Sequence, residues 1–354
     1  MAKTRKTIRL GIIGCGRVAE ERHFPVLRHL PDLQVVAVSD VDANRLNATA
    51  NRFGIEQRFR DYRALLDYAN IDAVGILTPT QSHAEIALAA LDADKHVMIE
   101  KPLALNLSEC DRLIALGADS SCKVVVGLNL RWHRFVRRAS EFIQTGELGR
   151  IKAIRSVFTH NRSAENAPYW HRKRELGGGI SFNEAVHHFD LWRYLLQSEV
   201  DQVFAFSRPS PYYEDETSVV NACLLNGALA TGVFTLKTSP TSEVEIYGEN
   251  GRLYLSLYRF DGFEFFSHAT YPGNIRDRLK KSILSLAQAP QVIPIMRRGG
   301  DVAATFYGLW HHFINCINRD DASECTLEDG KRALQISLAS VESVTIGKPV
   351  QIKV

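Results

Sequence analysis

Ile8-Arg9-Leu10-Gly11-Ile12-Ile13-Gly14-Cys15-Gly16-Arg17-Val18-Ala19 is the stretch on which the fold turns. A short run of mostly apolar residues leads into Gly14-x-Gly16-x-x-Ala19, and a helical pattern opens there. The glycines permit a tight turn and close backbone approach, and a helix starting at that point offers free N–H groups to a pyrophosphate. Taken alone the spacing is weak, because glycine-rich turns also arise for purely steric reasons. The next apolar run, Leu33 to Ser39, ends in Asp40. A carboxylate about 20 residues past the fingerprint can accept hydrogen bonds from an adenosine ribose and repel the extra phosphate of NADP. Strand, turn, helix, strand and acid in that order predict a site for NAD, with NADP disfavoured. Its expected contacts are Gly14, Gly16, Arg17, Val18, Ala19 and Asp40. Arg45 lies near Asp40 in sequence, but as a solvated helix residue it needs no role at the cofactor.

The same texture continues outward. Ala73 to Leu77, His96 to Ile99 and Lys123 to Val126 read as further strands, and 45–53, 62–68, 82–91 and 108–116 as helices, with Ser82 and Ser108 as N-caps. Strands apolar on both faces that alternate with helices imply a parallel sheet covered on both sides. Residues 1–128 are therefore expected to form a doubly wound α/β domain of Rossmann type. After Asn129 the strand-like runs 152–159, 203–207, 217–225, 228–235, 242–247 and 251–257 follow one another, several joined by hairpin turns such as Asn226-Gly227. Helical patterns cover 135–144, 276–287, 302–317 and 327–346. An α+β domain over 129–354 with a large, open, mainly antiparallel sheet is the expectation.

Composition bounds the function. The 354 residues carry 43 Lys and Arg against 40 Asp and Glu, a net charge of +3, which gives no global argument for nucleic acid as partner. The apolar runs are far too short to span a membrane, and the glycines after the basic N-terminus make a poor secretory core, so a cytoplasmic protein is expected. The six cysteines form no C-x-x-C pair and no zinc spacing, so no metal site is expected. The stretch 276–300 holds six cationic residues against Asp277, with an apolar stripe at Ile275, Leu279, Ile283 and Leu286. It reads as a subunit arm first and a lid over an anionic substrate second.

Three clusters carry chemistry. Thr78-Pro79-Thr80-Gln81-Ser82-His83 and Glu100-Lys101-Pro102 each close a strand of the first domain, where ligands of open α/β sheets bind. The third is Gly177-Gly178-Gly179 followed by Asn183, Glu184, His187, His188 and Asp190. On one continuous helix Asn183, His187 and Asp190 would share a face, with Glu184 turned elsewhere. Together with Asn129-Leu130-Arg131, these elements resemble the glucose-fructose oxidoreductase, inositol dehydrogenase and rhizopine-catabolism (Gfo/Idh/MocA) family over essentially the whole chain.

The resemblance implies a nicotinamide on the first domain, with Thr78, Pro79, His83, Glu100 and Lys101 among its contacts. A polyol, sugar or sugar nucleotide would lie on the second domain, and hydride would pass between a hydroxyl-bearing carbon and the nicotinamide. His187 would take the hydroxyl proton and Lys101 would hold the same oxygen. Asn183 stands where many members have aspartate; an amide is no base, so it becomes an orienting group, and its resemblance to the asparagine of members that oxidise UDP-linked sugar acids tilts the substrate toward sugar nucleotides. Asn129, Arg131, Trp170, Arg172 and His188 are the candidates for substrate contact, aromatic and cationic groups suiting a carbohydrate that is anionic or nucleotide-linked. The family also implies a homodimer or homotetramer. Two other readings belong with this one: a relative that uses NAD transiently for hydrolysis, elimination or epimerisation, and a noncatalytic NAD-sensing regulator.

Overall fold

The computed structural model describes residues 6–162, 167–269, 293–297 and 299–353, with isolated positions between 270 and 292. The basic stretch 276–300 thus lies largely outside the described residues; Ile275, Leu279 and Ile283 of its stripe are described and exposed. The chain divides into two compact units: residues 1–129, 175–177 and 306–334 form the first, and the remainder the second. The segment 306–334, expected in the second domain, therefore packs with the first.

Unit 1 is built on a six-stranded parallel sheet in the order β3-β2-β1-β4-β5-β6. The strands are β1 (Ile8–Ile13), β2 (Leu33–Ser39), β3 (Gln57–Phe59), β4 (Ala73–Ile76), β5 (His96–Ile99) and β6 (Val124–Val126). Order reverses at β1, whose neighbours are β2 and β4, and this is the switch point where open α/β sheets bind ligands. Strand β3 was not expected: it is a three-residue edge strand with two exposed residues, too short and polar to leave a periodic signal. Two of the expected caps are corrected. Ser82 stands at the N-cap position, but its Oγ donates to the Pro79 carbonyl at 2.9 Å and lies 2.8 Å from Thr78 Oγ1, so its side chain holds the preceding loop and makes no cap hydrogen bond. Ser108 lies inside a helix, Leu107–Asp119, capped by Asn106, whose side chain accepts from Glu109 N at 3.0 Å.

Glycines fit the later segment onto this sheet. A Cβ on Gly75 of β4 would stand 2.9 Å from the Trp310 ring, and one on Gly330 3.0 Å from Leu103. Trp310 lies on the helix Gly300–Arg319 and Gly330 on the helix Leu327–Ile346.

Unit 2 carries an eight-stranded sheet in the order β13-β12-β11-β7-β10-β9-β8-β14. These are β7 (Ile151–Asn161), β8 (Val200–Arg208), β9 (Thr217–Leu224), β10 (Leu229–Thr235), β11 (Lys237–Gly248), β12 (Gly251–Ser256), β13 (Phe263–Ser267) and β14 (Val350–Gln351). Every pair is antiparallel except β7 with β10. Strand β13 was missed because none of its residues is fully buried or fully exposed, so alternation is weak. The inner face packs Ile154, Phe234, Ile246 and Leu253 against Phe189 and Trp192 of the helix Ala185–Leu196. The Trp192 indole donates to Ser156 Oγ at 2.9 Å, which satisfies its one polar atom in the core. On β8 to β10 and the turn between β9 and β10, Phe206, Leu225, Leu229 and Val233 are exposed. Among the described residues no helix is long and apolar enough to cross a membrane.

Candidate active site

The turn after β1 is built around Gly14. Its φ of +101° lies in the region that favours glycine, and a Cβ there would stand 2.7 Å from the Leu77 carbonyl oxygen, so only glycine lets β1 and β4 approach. Gly16 differs: a Cβ would meet nothing within 4 Å. The space beside it is free for a ligand. Asp40 ties the turn to the end of β2, its carboxylate accepting from Cys15 N and Asp42 N, both at 2.8 Å, while Arg45 Nη2 stands 3.4 Å away. Burial, with Asp40 next, pushes the Cys15 thiol up to about 12, so this cysteine is no nucleophile. Val18 is exposed beside the turn, Arg17 reaches outward to Glu21 at 2.9 Å, and Ala19 is wholly buried, where it seats the helix. A cradle with an open glycine and a carboxylate anchored beside it fits NAD.

The ends of β4 and β5 lie next along the same edge. His83 is buried with Nδ1 at 2.8 Å from the Pro102 carbonyl and Nε2 at 2.9 Å from that of Thr78, so the ring clamps the two loops together. Burial holds His83 below its usual value against the pull of both carbonyls, and a neutral ring donates to only one of them at a time. Its place is thus structural support for Thr78, Pro79 and the Lys101-Pro102 peptide, which is cis. Glu100 is also buried: Oε1 is 3.0 Å from His23 Nε2, and Oε2 accepts the Lys101 backbone N–H at 3.1 Å. Lys101 itself is half-buried, and Asn129 is buried at the end of the unit. His23 and Trp310, which complete this arrangement, escaped the sequence reading because nothing local marks a histidine inside a helix as a partner of a strand-end acid.

In unit 2 the expected continuous helix is two. Glu184, with φ −119°, interrupts it, so Asn183 ends the helix Ile180–Asn183 and His187 lies in the first turn of Ala185–Leu196. Asn183 Nδ2 stands 3.0 Å from His171 Nδ1, which Arg162 Nη1 also approaches at 3.2 Å, while Arg162 Nη2 donates to Glu184. Glu184 therefore joins the Asn183 cluster, contrary to the expectation that it faces elsewhere. His171 Nδ1 accepts from both neighbours, which leaves its proton on Nε2. Trp170 packs edge-on against the His171 ring, centroids 3.9 Å apart, and Arg172 Nε donates to the Ala167 carbonyl at 3.2 Å. A Cβ on Gly178 would stand 2.2 Å from the Trp170 carbonyl oxygen, so that glycine exists to bring the two segments together.

Two substrate candidates are corrected. Arg131 is buried and gives Asp190 a bidentate pair, Nε to Oδ2 at 2.8 Å and Nη2 to Oδ1 at 2.5 Å; its guanidinium is spent on the fold, and Asp190 with it. His188 is fully buried between Phe158 and Phe234, with ring centroids 6.0 and 5.6 Å away, and neither ring nitrogen has a partner among the described residues. Adjacent helix positions point apart, so His187 and His188 cannot both face a ligand.

Sheet and switch-point turn define a dinucleotide-binding fold of the α/β class. The chain belongs to the oxidoreductase family with an NAD-binding Rossmann fold: residues 8–128 match that part, and residues 136–254 match the GFO/IDH/MocA C-terminal domain. Similar proteins include a myo-inositol 2-dehydrogenase of Thermotoga maritima, 30% identical over 71% of this chain and 76% of that protein. A scyllo-inositol 2-dehydrogenase (NAD(+)) of Bacillus subtilis is 24% identical over 98% of this chain and 97% of its own. Among solved structures, the WlbA dehydrogenase of Bordetella pertussis in complex with NADH and UDP-GlcNAcA has the same fold, with a TM-score of 0.81 and 22% identity over 99% of each chain.

Proposed function

We propose that this NAD-binding oxidoreductase is a dehydrogenase of a secondary hydroxyl on a polyol, sugar or sugar nucleotide. The observation that carries the reading is Lys101: its backbone is fixed by a buried carboxylate at the carboxyl end of β5, on the edge that bears the Gly14 turn. NAD supplies the hydride acceptor. Lys101 stabilises the charge that grows on the substrate oxygen, His187 accepts the hydroxyl proton, and Asn183 orients the substrate from its place beside His171. Trp170 and Arg172 are assigned to the sugar and to an anionic group on it. The inositol dehydrogenases among the similar proteins favour a cyclic polyol, while the amide at Asn183 favours a nucleotide-linked sugar. We also assign the exposed face of β8 to β10 to contact with a second copy of the chain.

The test is a screen of inositols, aldoses, uronates and UDP-sugars for NADH formation, with NAD and NADP compared. One class should reduce NAD, and Lys101→Met should lower that rate by at least about a hundredfold. Turnover of a glycoside or epimer with no net NADH would replace this reading with one in which NAD is used transiently.

A further inference from the structure

A chain of buried hydrogen bonds crosses unit 1. Trp310 Nε1 donates to His23 Nδ1 at 3.0 Å. An indole can only donate, so Nδ1 is an acceptor and the ring proton sits on Nε2, which points at Glu100 Oε1 from 3.0 Å. Glu100 Oε2 then takes the backbone N–H of Lys101 at 3.1 Å. Trp310 and His23 are fully buried and Glu100 nearly so.

The chain is seated by shape as well. Phe306 packs edge-on against the His23 ring at 4.9 Å. Gly75 leaves room for the Trp310 ring, where a Cβ would come within 2.9 Å, and Gly127 leaves room for Glu100, where one would come within 3.1 Å of its Cα and 3.2 Å of Oε1. His23 closes a single π turn, Ala19–His23, in the helix that starts at the nucleotide turn. That wider turn is a device often found near functional sites, because it re-aims a side chain without ending the helix.

We propose that His23 is a positioning residue for Lys101, holding the Glu100 carboxylate so that it fixes the Lys101 backbone, with Trp310 setting the His23 tautomer. This rests on the reading of Lys101 as the residue at the reacting oxygen. Without the His23 donor, Glu100 is a buried carboxylate short of a partner, and it must turn or take up a proton; either change weakens its hold on Lys101 N–H. The expected defect is one of geometry at Lys101 with the nucleotide turn intact.

Four variants of the full chain test it: His23→Leu, His23→Gln, Trp310→Phe and Lys101→Met. Hydrogen exchange of the Lys101 amide should speed up at least about tenfold in H23L, and less in H23Q, which keeps a donor for Glu100, while amides of β1 and β4 hold their rates. Trp310→Phe should fall between. NADH affinity should stay within about threefold, and kcat for myo-inositol oxidation in H23L should fall about 10- to 100-fold. Adding H23L to K101M should cost nothing further, since both act through one group. An unchanged Lys101 amide in H23L, or protection lost equally on β1 and β4, overturns the proposal. Should H23L fail to fold, H23Q and W310F give the same comparison. Wild-type turnover in K101M would instead sink the role given to Lys101, and the exchange rates would still decide whether His23 fixes its backbone.

Discussion

His188 illustrates how far a side chain's neighbours outweigh its type. Burial, opposed only by Glu184, holds it down at about 4, and its ring lies among Phe158 and Phe234 with no hydrogen-bond partner among the described residues. The folded form therefore binds its proton less readily than the unfolded chain does. The stability this contributes is complete above the unfolded value near 6.5 and is lost as pH falls toward 4, about 3 kcal/mol at the limit. His188→Leu should flatten the decline of Tm between pH 7 and pH 5 and leave stability at pH 7 equal or higher; a large loss at pH 7 would mean that the ring nitrogens are bonded. Asp40 gives a second test at this scale. Its carboxylate serves the turn through Cys15 N and Asp42 N as well as any ribose. Asp40→Asn keeps one acceptor but removes the charge, so the preference for NAD over NADP, read from the two Kd values, should fall about tenfold. The turn at Gly14 and its tie to Asp40 were legible because both depend on short sequence distances. Arg131 and His188 were misread because their partners, Asp190, Phe158 and Phe234, are remote in sequence.

Among the elements, the turn after β1 separates what the protein needs from what a ligand needs. Gly14 has a positive φ and a backbone atom where its Cβ would go; Gly16 has open space. Gly14→Ala should destabilise the apoprotein by roughly 2 kcal/mol or more, from αL-type strain and the clash together. Gly16→Val should leave the apoprotein Tm within about 2 °C, since a Cβ there meets nothing within 4 Å, while NADH affinity drops at least about tenfold. Equal loss of Tm in both would refute the distinction. The strands of the parallel sheet were readable as continuous apolar runs, since both faces are covered. The break at Glu184 was not, because the run through 183–190 has helical periodicity on either side of it, and the bonds of Arg162 to Glu184 and of Asn183 to His171 are tertiary and leave no local signal.

For the whole molecule, the exposed apolar residues of β8 to β10 predict assembly. Leu229→Glu with Val233→Lys should shift the protein to monomer in sedimentation, with near-UV circular dichroism unchanged; a wild-type chain already monomeric at micromolar concentration would remove the assignment. The change of strand texture falls near Asn129, where the first segment of unit 1 ends, but the return of 306–334 to that unit left no such signal, since an amphipathic helix does not announce which sheet it will cover. That return has a consequence for the order of events during synthesis. A ribosome adding about 5 to 20 residues per second makes residue 306 some 10 to 35 s after residue 129. During that interval the nascent first unit lacks Phe306, Trp310 and Gly330, so His23, Gly75 and Leu103 stand uncovered while the second unit is still being made. The cofactor half of the enzyme, although first out of the exit tunnel, is among the last parts to finish. Chaperone capture should accordingly peak on ribosome-bound chains ending between 130 and 300 and vanish once the segment through 334 has emerged.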